Sequence, residues 1–204
     1  MNKSVFFEYL NHYKKNFIIL ILVFFVGIMG GIMFINHASE NQMQEIGSYV
    51  NSLKENIKSA DEINQTAILM QSMKQNILLV LMIWFLGCTI LGSFLIYLGI
   101  AYKGFSIGYT VSAMVATLGV KTGSIFAILS LLLQNLVFLP VILILAESGI
   151  KLYKNLRENQ FMNLKFEFLR HTVIMLIAMI GSVMASFIEV YGSTNFLIFF
   201  KDFF

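Results

Sequence analysis

Side chains that could act as acids or bases are few within the apolar stretches of this chain. Glu147 ends one such stretch and Glu189 ends another, while the three histidines, His12, His37 and His171, lie at or beyond stretch ends. An ionisable group deep in a membrane is costly and is a functional candidate by default. Both glutamates stand near an interface, and no nucleophile stands with a base and an orienting group. We therefore expect a noncatalytic protein without a proton relay.

Chemistry based on a metal, a nucleotide or a nucleic acid is not indicated either. The single cysteine, Cys88, rules out a cysteine metal site and an intrachain disulfide. There is no glycine-rich phosphate loop and no cluster with metal-ligand spacing. The net charge is +3, and the lysines are scattered rather than gathered into a basic patch. We expect no cofactor, no metal and no nucleic-acid partner.

Two amides and a proline stand out in the fourth apolar stretch. Gln134 and Asn135 lie in the middle of it, and Pro140 follows five residues after Asn135. The proline frees a backbone carbonyl one turn earlier, near Leu136. Side-chain amides beside such a site usually bond neighbouring membrane helices. We interpret the pair as structural, bonding neighbouring helices. The alternative is that the two amides contact a substrate.

Small residues mark places where helices can approach closely. Gly27 and Gly31 form one Gly-x-x-x-Gly pair, and Gly104 and Gly108 form another. The motif permits backbone contact between membrane helices. It does not say whether the contact lies inside one bundle or between two copies, so a homo-oligomer stays open.

The elements that carry these residues are membrane helices. Of the 204 residues, 58% are hydrophobic and 12% are charged, whereas soluble domains carry roughly 25% charged residues. A hydrocarbon core of ~30 Å needs about 20 apolar residues in a helix. The sequence predicts an all-α, polytopic helix bundle in a single membrane domain, residues 1–204. Its five predicted transmembrane helices lie near 17–35, 77–101, 104–120, 123–146 and 172–189.

Loop charges predict the orientation of the bundle. Lysine and arginine concentrate on the cytoplasmic side of short loops. With the N-terminus inside, the inner segments hold nine of these residues, Lys103 among them, and the outer segments hold five. This bias predicts that the N-terminus is inside and the C-terminus outside.

The largest polar segment is predicted on the outer side, at residues 37–75. Its apolar residues recur three or four positions apart and draw one stripe along an amphipathic helix. The stripe either lies on the membrane or packs over the outer mouth of the bundle, or it docks a partner outside the cell. The residues that we predict for docking are Ile46, Val50, Leu53 and Ile57.

Several short motifs follow one another along the chain. They are Lys74-Gln75-Asn76-Ile77, Ile83-Trp84-Phe85-Leu86-Gly87, residues 103–111, Gln134-Asn135 with Pro140, Asn159-Gln160-Phe161-Met162, Phe168-Leu169-Arg170 and residues 186–191. Each motif alone is nonspecific, but in this order they resemble the stage II sporulation protein M family of endospore-forming bacteria. The likeness spans the whole chain, with a similar length and one large loop after the first span.

The resemblance implies a role in engulfment of the forespore. It implies a scaffold in the septal or engulfing membrane that localises two peptidoglycan hydrolases, stage II sporulation proteins D and P. Membrane lipids are its other expected partners. A different class of function stays open, a small permease or channel subunit in which Gly, Ser and Thr of the second to fourth spans line a path.

Overall fold

The computed structural model describes residues 3–58, 65–89, 91–157 and 161–193. Within these ranges it describes side chains from residue 15 onward, except at 53–54, 56–58, 67, 132–133, 161–163 and 193. Every regular element in the described ranges is helical. The helices are α1 (Lys3–Asn36), α2 (Glu40–Lys58), α3 (Gln65–Gly87), α4 (Gly92–Leu118), α5 (Val120–Arg157) and α6 (Phe161–Phe187), which continues as a π-helical turn at Ile188–Ser193.

Five of these helices are long and apolar enough to cross a membrane, which confirms the all-α, polytopic architecture. The spanning parts are Lys15–Asn36, Ile68–Gly87, Gly92–Leu118, Gln134–Arg157 and Leu164–Gly192. We use "outer end" for the end of the bundle where α2 and the α4–α5 link lie. The opposite end, with the α3–α4 turn, is the "inner end". These names follow the predicted orientation, which stays a prediction.

The boundary between the second and third spans differs from the one predicted at Lys103. The chain turns instead between α3 and α4, where the Cys88 and Thr89 amides donate to carbonyls three residues back, at 3.1 and 3.0 Å. The second span is therefore shorter and earlier than 77–101, and the third replaces 104–120 with one continuous helix of 27 residues. Lysine is a good helix former, so a single lysine did not mark a loop.

Helix α5 is the central element of the bundle. Its spanning part is 56% buried, compared with 22–33% for the other four. At 38 residues it is about 57 Å long, well beyond the ~30 Å hydrocarbon core. The predicted span 123–146 covers only part of it, because the polar sequence after Ala146 stays helical. Gly119, with φ 83°, links α4 to α5 in a conformation that favours glycine.

The two Gly-x-x-x-Gly pairs face each other inside one chain. A Cβ on Gly27 or Gly31 would overlap the backbone of α4 at Ala101 or Phe105. A Cβ on Gly104 would overlap the backbone of α1 in the same way. Since the positions that meet advance together along both helices, α1 and α4 run parallel. This pair forms the most extensive helix contact of the chain.

The core lies where α1, α3, α4 and α6 meet the central helix. Its fully buried apolar side chains come from all five elements and include Leu20, Val80, Ile96, Phe138 and Ala185. The opposite faces carry exposed apolar side chains throughout the spans, as expected of surfaces solvated by lipid.

Charged side chains join α5 to α6 at the inner end. Lys151 Nζ lies 3.0 Å from Glu167 Oε1, and Arg170 Nη2 lies 2.9 Å from Glu167 Oε2. Nearby, Lys154 Nζ donates to Asn16 Oδ1 of α1 at 3.1 Å. Glu147, predicted as an interface acid, is 9% exposed and stands one turn before Lys151, a spacing that favours opposite charges.

A buried histidine ties α6 to two other helices at the same end. His171 is fully buried, with Nδ1 3.1 Å from Ser148 Oγ and Nε2 3.2 Å from the Trp84 carbonyl oxygen. Gly87 and Gly149 face each other beside its ring and leave room for it. Buried polar groups are costly unless they are hydrogen-bonded, so these partners give His171 a structural role.

Replacing Gly104 with alanine should destabilise the bundle. The new methyl group would overlap the backbone of α1 at Phe24, and backbone cannot move aside as a flexible side chain can. We expect Gly104→Ala to lose about 2 kcal/mol, within the usual range for overpacking. Thermal unfolding of purified protein in detergent, followed by circular dichroism, measures the change.

Gly99→Ala is the matched control for this substitution. It lies in the same helix, and a Cβ there meets nothing within 4 Å. Its Tm should stay the same or rise slightly, since alanine is the better helix former by up to about 1 kcal/mol. Equal Tm values for the two variants would contradict the close α1–α4 contact.

Candidate functional site: a polar cavity between the spans

A cavity of about 530 Å³ lies between α3, α4, α5 and the π-helical turn. It occupies the half of the bundle nearer the outer end. Its wall combines amides, hydroxyls and two charged groups with a few apolar side chains. The polar members of the wall are Gln75, Asn76, Tyr102, Lys103, Ser106, Thr110, Gln134, Asn135 and Glu189.

Lys103 brings a cation to the middle of the bilayer. It is the twelfth of 27 residues in α4, and its Nζ lies 5.0 Å from the centre of the Phe138 ring. Within the described ranges no carboxylate oxygen lies within 4.0 Å of it. A cation–π contact is worth about 0.5–2 kcal/mol, less than the ~2.5–3.5 kcal/mol that a lysine costs at the centre of a membrane helix. The polar cavity supplies the remaining solvation.

Glu189 supplies the opposite charge from the π-helical turn after α6. Its carboxylate accepts a short hydrogen bond from the Ser72 hydroxyl of α3. The same hydroxyl oxygen lies 3.0 Å from Ser186 Oγ, which also accepts from Asn76 Nδ2 at 2.9 Å. Glu189 therefore belongs to a buried network that fastens α3 to α6, rather than to a solvated interface. Single π-helical turns inside helices are frequent at functional sites.

The predicted amide pair lines this cavity. Gln134 and Asn135 are each 7% exposed. Asn135 Nδ2 donates to the Leu131 carbonyl oxygen of its own helix at 2.8 Å, and Asn135 Oδ1 is buried with no hydrogen-bond partner among the described residues. The predicted bond to a neighbouring helix is thus not what Asn135 makes here. α5 continues through Pro140, so the proline does not end the helix.

The cavity is closed toward the inner end and open to the side. One or two turns further in, Ile83, Ile100 and Ile142 are at most 1% exposed, so the wall merges with the core. The open side is a slit between α3 and α4, rimmed by side chains that the bundle leaves exposed. These side chains are Gln75, Leu78, Met82, Tyr102 and Ser106. Since they stand on membrane-spanning helices, the slit faces lipid.

A second, apolar groove of about 500 Å³ lies on the other side of the α4–α5 pair, against α1. Ile107, Leu131 and Asn135 line both spaces and form the partition between them. Apart from Asn135 and Ser124, its wall is entirely apolar, as expected of a surface that packs against lipid chains.

The predicted docking residues lie on α2, which packs over the outer end. Val50 is 4% exposed and belongs to a small cluster with Met114 and Phe126, with Ile46 packed against it. These two residues thus make the contact that the alternative interpretation expected, with the bundle. The side chains of Leu53 and Ile57 lie outside the described residues, and docking through any of the four stays a prediction.

The sequence did not predict the roles of several residues in and beside the cavity wall. Lys103 was assigned to a loop, Ser72 was not singled out, and Asn76 and Ser186 were noted only as parts of motifs. Ser72 and Asn76 stand four apart, as do Ser182 and Ser186, so each pair shares a helix face; that spacing was the available signal. In the part of the chain that the structure describes, no three His, Cys, Asp or Glu side chains are grouped to hold a metal ion.

Comparison with known proteins gives one match. A protein-family model described as stage II sporulation protein M matches residues 20–194. The matched range begins in α1, includes α2 and the cavity, and ends just after the π-helical turn. No curated protein and no solved structure matches significantly.

Removing the Ser186 hydroxyl should weaken the joint between α3 and α6. Ser186→Ala removes the 2.9 Å acceptor of the buried Asn76 amide and leaves Nδ2 only its 3.4 Å contact with Ser72 Oγ. A hydrogen bond contributes about 0.5–1.5 kcal/mol to stability, so we expect a loss of about 1 kcal/mol. Thermal unfolding in detergent measures this loss of stability.

Ser106→Ala, at an exposed site on α4, is the control and should change the stability by less than about 0.5 kcal/mol. A Ser186→Ala variant as stable as that control would contradict the network.

Proposed function

The chain belongs to the stage II sporulation protein M family, and from that premise we propose that it is a noncatalytic membrane scaffold for engulfment. In this proposal it holds two peptidoglycan hydrolases, stage II sporulation proteins D and P, at the septal or engulfing membrane. Family membership over residues 20–194 is the observation that carries the proposal. What family and fold establish together is coarser, a sporulation-associated, multi-pass membrane protein.

Helix α2 is the element best placed to meet partners outside the cell. It lies across the outer end, and its contacts with α4 and α5 are made by Ile46 and Val50. Because this packing already holds α2 in place, the helix loses little further conformational freedom when a partner binds, which favours affinity. A scaffold gains from such a surface, because a partner that binds it is held at a fixed position relative to the membrane.

The exposed surface of α2 is polar, with one large aromatic side chain. Tyr49 is 67% exposed. It stands beside Glu45 at the edge of a shallow groove of about 280 Å³ between α2 and α4. Tyrosine is enriched among the residues that dominate binding energy at protein interfaces. The proposal therefore assigns partner contact to the Tyr49 side of α2 and positioning of α2 to Ile46 and Val50.

Replacing Tyr49 with glutamate should lower the recovery of both hydrolases. The substitution places a charge at the proposed contact and disturbs nothing in the bundle, because the side chain is exposed. Loss of one dominant contact costs about 2 kcal/mol or more, at least tenfold in affinity. Quantitative copurification of stage II sporulation proteins D and P with the tagged protein from sporulating cells measures recovery.

Two further variants make this experiment specific. Lys121→Glu, exposed at the same end but on α5, should leave recovery unchanged. Val50→Glu should also lower recovery, because a charge in the buried cluster detaches α2 from the bundle. Undiminished recovery with Tyr49→Glu and Val50→Glu, at wild-type amounts in the membrane, would remove α2 from the proposal.

A small permease or channel subunit is the second candidate, and the polar cavity is the observation that favours it. A transport path needs polar surface through both halves of the bilayer, whereas this cavity ends at the buried core around Ile100 and Ile142. That closure supports a scaffold better than a static pore. Purified protein reconstituted into liposomes should therefore give no flux of ions or amino acids above empty liposomes. Solute-specific flux that Lys103→Met abolishes would replace the scaffold with the permease.

A further inference from the structure

The cavity carries one positive and one negative group that do not neutralise each other directly. Lys103 Nζ and the Glu189 carboxylate both line it, and no ion pair within 4.0 Å joins them in the described part of the chain. A charge in the bilayer interior is retained only with a partner or polar surroundings. The two groups line the same polar space and attract each other across it without direct contact. Together they are complementary to a ligand that carries both an anion and a cation.

The way into the cavity selects an amphiphile. The slit between α3 and α4 faces lipid, and exposed apolar side chains, Leu78 and Met82, stand on its α3 rim. A head group can enter the slit sideways while its acyl chains stay in the bilayer against that rim. The volume of about 530 Å³ lies in the range of ~300–1,000 Å³ found for small-molecule sites.

We propose that this cavity binds the zwitterionic head group of a phospholipid. The phosphate lies at Lys103, and the ammonium lies at the Glu189 carboxylate. A phosphate carries acceptors for the lysine donors, and a charge-assisted hydrogen bond is about twice as strong as a neutral one. The site is separate from the α2 surface of the proposed scaffold, and each can fail without the other.

The test uses the full-length protein in nanodiscs of two compositions. One is phosphatidylglycerol alone, and the other is an equal mixture of phosphatidylglycerol and phosphatidylethanolamine. Native mass spectrometry after release from the discs should find phosphatidylethanolamine retained over phosphatidylglycerol by about tenfold, a ratio equal to about 1.4 kcal/mol. The Tm of the wild type should be higher in the mixture, because a ligand that binds only the folded state stabilises it.

Three substitutions locate the retained lipid. Glu189→Gln should abolish the preference and the rise in Tm, because it removes the partner of the ammonium. Lys103→Met should lower the retention of both lipids, because it removes the partner of the phosphate that they share. Lys121→Met, which removes an exposed lysine, should change neither. Ser106→Leu, at the exposed rim, should abolish retention by blocking the slit without touching the core.

The remaining outcomes overturn the proposal. Equal retention of the two lipids by the wild type would show that the cavity does not select a zwitterion. A preference that survives Glu189→Gln and Ser106→Leu, with retention unchanged by Lys103→Met, would place the lipid elsewhere. Soluble phosphoethanolamine, added to discs of phosphatidylglycerol, should not raise the Tm. A rise equal to that given by the lipid would assign the site to a free zwitterionic solute instead.

Discussion

The backbone contact between α1 and α4 is the constraint on which the rest of this bundle depends. Glycines at four positions let the two helices touch along parallel axes. Parallel neighbours in a membrane cannot be joined by a short turn, because the chain must first cross back. Helices α2 and α3 make that return, and α3 lies on the far side of α4 from α1. The contact of α3 with α4 is slight compared with that of α1, which leaves the slit open. The cavity is thus a consequence of where the glycines fix α4.

Different contacts hold the helices together at the two ends of the bundle, and the roles of the two ends follow from this difference. At the inner end, Lys151, Glu167 and Arg170 bind α5 to α6, and His171 is held between α5 and α3. Toward the outer end, α3 meets α6 through the hydroxyls and carboxylate around Ser186, with the cavity beside them. The inner end therefore fixes the bundle, and the outer half has the polar surface and the space to receive other molecules.

The five spans and the helical class were predictable, because an uninterrupted apolar run of sufficient length has few other structures open to it. The boundary at Lys103 was not predictable by the same rule, which treats a charge as the end of a span. That lysine is tolerated because a ring from α5 and a polar cavity surround its ammonium group. Those neighbours come from distant parts of the sequence: Asn76 and Ser186, joined by one hydrogen bond, are 110 positions apart.

The glycine pairs were evident in the sequence, but the helix that each pair contacts was not. Ile46 and Val50 were recognised as a stripe, but only the packed structure identifies the surface that covers it.

The near absence of charge in the apolar stretches first favoured a bundle that only holds and positions its parts. Lys103 and Glu189 do place charge inside the bundle, but they do not make it a transporter. A charged group in a membrane serves transport only if polar surroundings continue past it, and below Lys103 the helices pack through Ile83, Ile96 and Ile100 at no more than 1% exposure. Moving a charge through that layer would require the core of the protein to open. The contacts that hold the helices together at the inner end oppose such an opening. The polar cavity is therefore better suited to keep a ligand than to pass one. A ligand retained between α3 and α4 would fill the most loosely packed helix interface of the outer half. That interface lies beside α4, the helix against which α2 packs.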